Sequence, residues 1–166
     1  MTFTNVKMDK ILQEEWTKKE IRSKNKVDFN RAIKYMWPEF FELGDCVFLK
    51  VENQIDNNNL DCLKSIYGDN TGIEASLNHI HIENVIPEYK SLQRDSFRFA
   101  LILFELWEAK LKKDFPKKSF VLSLSSIEKE HVLRFYTFRQ NEKPWIDVKN
   151  IDNYMDAILV NFIECE

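Results

Sequence analysis

Residues 87–114 carry an unbroken helical signal about 28 residues long, roughly 40 Å at 1.5 Å per residue, and the rest of the chain has to pack around an element of that size. Pro87 suits the first position of a helix, where its missing N–H costs nothing. Tyr89, Leu92, Phe99, Ala100, Leu103, Trp107 and Leu111 mark one face, and Phe97, Leu101 and Phe104 add a second stripe, so the middle is predicted to be covered on most sides. Lys110, Lys112 and Lys113 suit the negative end of the helix dipole, and Pro116 opposes continuation.

Beyond Pro116 the hydrophobic period changes to two. Residues 120–124 and 131–138 read as strands joined by a charged connection around Glu128, Lys129 and Glu130, and Ala157 to Ile163 supplies a third. A small antiparallel meander packed on the long helix is the expectation. Upstream, residues 7–20 predict an amphipathic helix with Trp16 facing inward, and Phe29 to Met36 a second, capped by Asp28 and closed by Pro38. Residues 46–51 read as a strand, although 42–51 also fits a helix interrupted by Gly44. Asn58 or Asn59 begins a helix through Tyr67, ended by Gly68 and a polar loop at 69–72. With no repeat or Gly/Ser/Pro linker, the expectation is a single α+β domain over residues 1–166: N-terminal helices and one long central helix on a small, mainly antiparallel C-terminal sheet.

Composition narrows the function classes. The chain is 44% hydrophobic with 13 Phe, 4 Trp and 5 Tyr, enough to bury a core. A net charge of -3 argues against nucleic acid as the partner, since a domain that grips phosphates normally carries a basic surplus. Three cysteines (Cys46, Cys62, Cys165) without CxxC spacing suggest neither a disulfide framework nor a zinc knuckle, which fits a reducing cytoplasm. The densest apolar stretch, 97–107, is interrupted by Arg98 and Glu105, so no membrane span is expected, and the first residues lack signal-peptide order.

Three constellations could carry chemistry. His79 and His81, one residue apart, project the same way on a strand and could share a metal with Glu74, Glu83 or His131. The competing interpretation has Asn78 and the imidazoles satisfying buried backbone groups at an irregular turn. Cys46 or Cys62 as a nucleophile would need a neighbouring base that no spacing supplies, and with only 3 glycines a phosphate-cradling loop is hard to build. The sequence therefore calls for no enzyme activity, no metal and no cofactor. The third constellation runs from Arg134 to Asp156 and gathers aromatics, arginine and a turn. From Asp147 onward five acids (Asp147, Asp152, Asp156, Glu164, Glu166) face one base, Lys149. Either this is a solvated charged loop or a binding surface in which Trp and Tyr anchor a partner and carboxylates meet basic groups.

The ending His131-Val132-Leu133-Arg134-Phe135-Tyr136, then Glu142-Lys143-Pro144-Trp145-Ile146, Ile151-Asp152-Asn153-Tyr154 and Ala157-Ile158-Leu159-Val160, resembles the C-terminal strand–turn–strand of bacterial immunity proteins. These are the proteins paired with toxins of polymorphic or contact-dependent growth-inhibition systems. Residues 74–81 are similar to a segment of the same proteins, and the resemblance spans about a third of the chain. It implies a cytoplasmic inhibitor that binds the cognate toxin domain, in many cases a basic nuclease, and blocks its active site. Trp145, Asp147, Asp152, Tyr154 and Asp156 are then the expected partner contacts. The alternatives are a small metal-dependent hydrolase centred on His79 and His81, and a regulatory subunit whose long helix packs on a second copy.

Overall fold

The computed structural model describes residues 6–8, 29–51, 55–87, 93–127 and 130–164. In chain order the elements are β1 (Val6–Met8), α1 (Phe29–Met36), β2 (Phe40–Leu43), β3 (Cys46–Leu49), α2 (Asn57–Tyr67), α3 (Asn70–Leu77), β4 (His79–His81), α4 (Ile82–Val85), α5 (Gln93–Asp114), β5 (Phe120–Ile127), β6 (Glu130–Thr137), a 3-10 helix (Val148–Asn153) and β7 (Ala157–Ile163). The fold is α+β.

Five strands form an antiparallel sheet in the order β1-β7-β5-β6-β4, and β2-β3 make a separate hairpin. The expected meander is corrected at its third strand: β7 pairs with β5, Phe120 opposite Ile163 and Ser126 opposite Ala157, so β5 is central and β6 lies on its other side. That arrangement requires residues 138–156 to cross from the end of β6, past β5, to the start of β7. Strand alternation then splits the sheet into two faces. Phe120, Leu122, Leu124, Leu133, Phe135, Leu159 and Ile163 face α5, where Phe99, Ala100, Leu103, Phe104, Trp107 and Leu111 are buried against them. Trp107 anchors this layer: its ring meets Phe40 and Phe135 edge-on at 6.0 and 5.9 Å, and its Nε1 donates to the Tyr35 carbonyl at 2.7 Å.

The described part of α5 starts at Gln93; Tyr89 and Leu92, assigned to its apolar face from sequence, lie outside the described residues. The helix predicted over 7–20 is corrected at its start, where Lys7 and Met8 belong to β1 and pair with Val160 and Leu159; residues 9–28, including Trp16 and Asp28, lie outside the described residues. The ambiguity at 42–51 resolves as a hairpin. Gly44 adopts φ 58°, the left-handed conformation that a two-residue connection between strands needs, so this glycine turns the chain instead of interrupting a helix.

The polar stretch 69–72, expected as a loop, instead starts α3. Asp69 is its N-cap, accepting from Gly72 N at 2.7 Å, and Glu142 accepts from Thr71 N at 2.7 Å. A Cβ on Gly72 would come within 2.4 Å of the Tyr67 carbonyl oxygen, so the close turn from α2 into α3 requires glycine there.

Candidate functional site

Two groups of polar residues stand out, and the structure gives them different work. The first surrounds Glu74, which is fully buried on α3. Its Oε1 accepts from Val47 N at 2.6 Å and Thr137 Oγ1 at 2.8 Å; its Oε2 accepts from Thr137 N at 2.8 Å and Arg139 Nη1 at 2.7 Å. Arg139 reaches onward through Nη2 to the Asp45 carbonyl at 2.8 Å. One helical turn later Asn78 takes Leu49 N on Oδ1 at 2.9 Å and donates Nδ2 to the Val47 carbonyl at 2.7 Å. Glu74 and Asn78 thus act as side-chain substitutes for a third strand beside β3, and they join the β2-β3 hairpin to the end of β6. Burial alone would lower the pKa of Arg139, but its hydrogen bond and charge contact with Glu74 outweigh burial and the net shift is upward.

This arrangement assigns the acids that sequence offered as metal ligands. Each oxygen of Glu74 already takes two donors. Glu83 is buried with both oxygens on the His131 amide, at 3.1 and 3.2 Å, and His131 Nδ1 lies 2.7 Å from Ser126 Oγ. His79 and His81 do share one face of β4, with ring centroids 5.4 Å apart, and His79 Nδ1 donates to the Ser76 carbonyl at 2.9 Å. Among the described residues no group of three His, Cys, Asp or Glu side chains is placed to hold a metal ion. Cys46 lies buried beside Glu74, and burial, reinforced by that carboxylate, pushes its thiol up to about 12, which leaves it protonated and inert near neutral pH. Cys62 is exposed and Cys165 lies outside the described residues.

The second group lies on the sheet face turned away from α5, under and within the connection 138–156. Part of that face is covered: Val121, Tyr136, Ile158 and Val160 pack with Ile146 from the connection. Burial pushes the Tyr136 hydroxyl up to about 12, with backbone hydrogen bonds at Ile146 and Trp145 acting in the opposite sense, so the phenol fastens the connection to the sheet. Beside this mini-core Trp145 keeps 45% of its surface exposed and meets Arg134 with its ring face, the guanidinium carbon lying 4.9 Å from the ring centroid. Arg134 sits between His79 of β4 and Ser123 of β5 in the strand register.

All five residues singled out from sequence fall on this connection, but they have different duties. Trp145, Tyr154 and the neighbouring Met155, which is 89% exposed, offer apolar surface to solvent. Asp152 is exposed and Asp156 half-buried. Asp147 is exposed yet structural as well: it caps the 3-10 helix through Lys149 N at 3.1 Å and Asn150 Nδ2 at 2.7 Å. The Asn150 side chain first, then the Lys149 amide, hold its carboxyl below the usual range. Asp147 N in turn donates to the Tyr154 hydroxyl at 3.0 Å, so the ends of the turn are tied together.

Arg134 and Met155 lie within the constellation read from sequence but are not among the partner contacts expected there. Arg134 was legible in principle as the charged residue of an alternating strand, but its place beside Trp145 depends on the crossover to β7, which the expected meander does not contain. The fold and this surface define an α+β protein whose most unusual exposed feature is an aromatic, charge-bearing connection braced on a sheet. The chain belongs to the uncharacterized protein PM0498 family, whose profile matches residues 3–165. No curated protein and no solved structure matches it. Among the described residues no helix is long and apolar enough to cross a membrane.

Proposed function

We propose that this protein is an immunity protein, a cytoplasmic inhibitor that binds the toxin domain of a polymorphic or contact-dependent growth-inhibition system and occludes its active site. The observation that carries the reading is the braced connection: Trp145, Tyr154 and Met155 stand exposed among Asp147, Asp152 and Asp156 on a base fixed by Tyr136 and Ile146. Rigid aromatic anchors lose little side-chain entropy on binding, and flanking carboxylates steer a basic partner such as a nuclease toward the surface. The commitment of Glu74 to structural hydrogen bonds also supports a binding role over hydrolysis, because its buried carboxylate already accepts four of them.

Co-expression with the polypeptide encoded immediately upstream tests the reading. Wild-type protein should restore growth to cells that make that polypeptide, and a Trp145→Ala, Asp152→Lys variant should fold normally but rescue poorly. Failure of the wild type to rescue would refute the inhibitor reading. Undiminished rescue by the variant would remove the connection as the contact surface.

A further inference from the structure

We propose that Arg134 is a receptor for a carboxylate of the partner protein, with the indole of Trp145 forming one wall of the receptor and His79 and Ser123 standing on either side. The inference deepens the binding reading above and rests on it for the identity of the occupant.

Two arginines near the same end of the sheet make the contrast. Arg139 has an acid within 2.7 Å, Glu74, and a second at 3.9 Å, Glu142, and it reaches two backbone carbonyls besides. Arg134 is half-buried, and among the described residues no hydrogen bond or ion pair engages its guanidinium; its contact is the face of Trp145. A guanidinium carries five N–H donors in a planar fork. One that is partly withdrawn from water and stacked on an indole keeps its edge available while losing hydration, the condition under which a bidentate carboxylate gains most. Burial lowers the pKa of Arg134, the direction expected of a cation short of counter-charge.

The surroundings select the anion. Asp147, Asp152 and Asp156 lie on the connection that carries Trp145, where they outnumber the bases Lys143 and Lys149, and the whole chain bears -3. A nucleic-acid backbone would meet repeated like-charge repulsion there, whereas a single Asp or Glu side chain reaching Arg134 from a mixed-charge protein surface would not. The contact complements the acids of the connection: partner bases meet those acids, and a partner acid meets Arg134 beneath Trp145.

The test uses the whole protein and sodium acetate as the probe, followed by NMR at the Trp145 indole N–H and the Arg134 Nε–H, with sodium chloride at matched ionic strength as reference. Acetate should shift both signals saturably, and inorganic phosphate and a single-stranded oligonucleotide should bind more weakly than acetate. Arg134→Gln should abolish the saturable shift, and Arg134→Lys, which keeps the charge without the fork, should weaken it at least about fivefold. Absence of a saturable acetate response at these two signals in the wild type would overturn the assignment, as would tighter binding of phosphate or oligonucleotide. Acetate binding without any binding of the upstream polypeptide would fault the inhibitor reading and leave the anion site standing; the reverse pattern would fault the site alone.

Discussion

Glu74 ties together two segments distant in sequence, which meet at its carboxylate: β3 through Val47, and the end of β6 with the start of the connection through Thr137 and Arg139. Removing the charge strands a partly buried guanidinium and weakens three other donors. Glu74→Gln should therefore lower unfolding free energy by about 3–5 kcal/mol, the usual cost of breaking a buried pair from one side. Urea denaturation checks it, and a loss below about 1 kcal/mol, the range of an exposed pair, would show that the network is dispensable. Glu74→Gln and Arg139→Met should be strongly non-additive because they act on one contact. Cys46 and Tyr136 make a second residue-scale prediction. Both have folded-state pKa values near 12, against ordinary values of 9.0 and 10.0, with burial as the leading cause. Their neutral forms are favoured by folding, so the stability they contribute is complete below about pH 9 and declines as pH rises toward about 12. Denaturation midpoints across that range should fall, and native protein should label at Cys62 but not at Cys46 with a thiol reagent at neutral pH.

At the scale of elements, the hairpin β2-β3 is the part whose attachment is least conventional. Its β3 edge is completed by Glu74 and Asn78, not by another strand. Asn78→Ala should destabilise by about 1–3 kcal/mol, the cost of leaving buried backbone groups without their partners. Hydrogen exchange should localise the loss to the Leu49 amide, whose N–H Asn78 Oδ1 accepts, and uniform loss across the sheet would contradict this attachment. Much of the element inventory was legible in the sequence because its determinants are local. Phe29–Met36 stops before Pro38, α2 ends at Gly68 with φ 89°, and the apolar runs of β5, β6 and β7 all follow Pro116. What sequence could not show was non-local. The crossover that sets β7 beside β5 is decided by which side of the sheet residues 138–156 traverse, and α3 depends on Gly72 fitting beneath the Tyr67 carbonyl. The site followed the same division: Trp145 and Tyr154 announced themselves by residue type, whereas Arg134 gained meaning from the tertiary stack.

For the whole molecule, α5 and the connection 138–156 occupy opposite faces of one sheet, and the proposed binding surface lies on the second. The buried layer around Trp107 holds the first, and Trp107→Ala should cost about 3–5 kcal/mol. A binding surface raised on the second can change its exposed residues with little penalty to the core, since Met155 and Asp152 touch solvent instead of packing inward. Calorimetric titration of the purified protein against the polypeptide encoded immediately upstream tests partner recognition by this side. Tight one-to-one binding, weakened at least about tenfold, or about 1.4 kcal/mol, by Trp145→Ala, is expected. Absence of heat and of complex at micromolar concentrations of both proteins would contradict it.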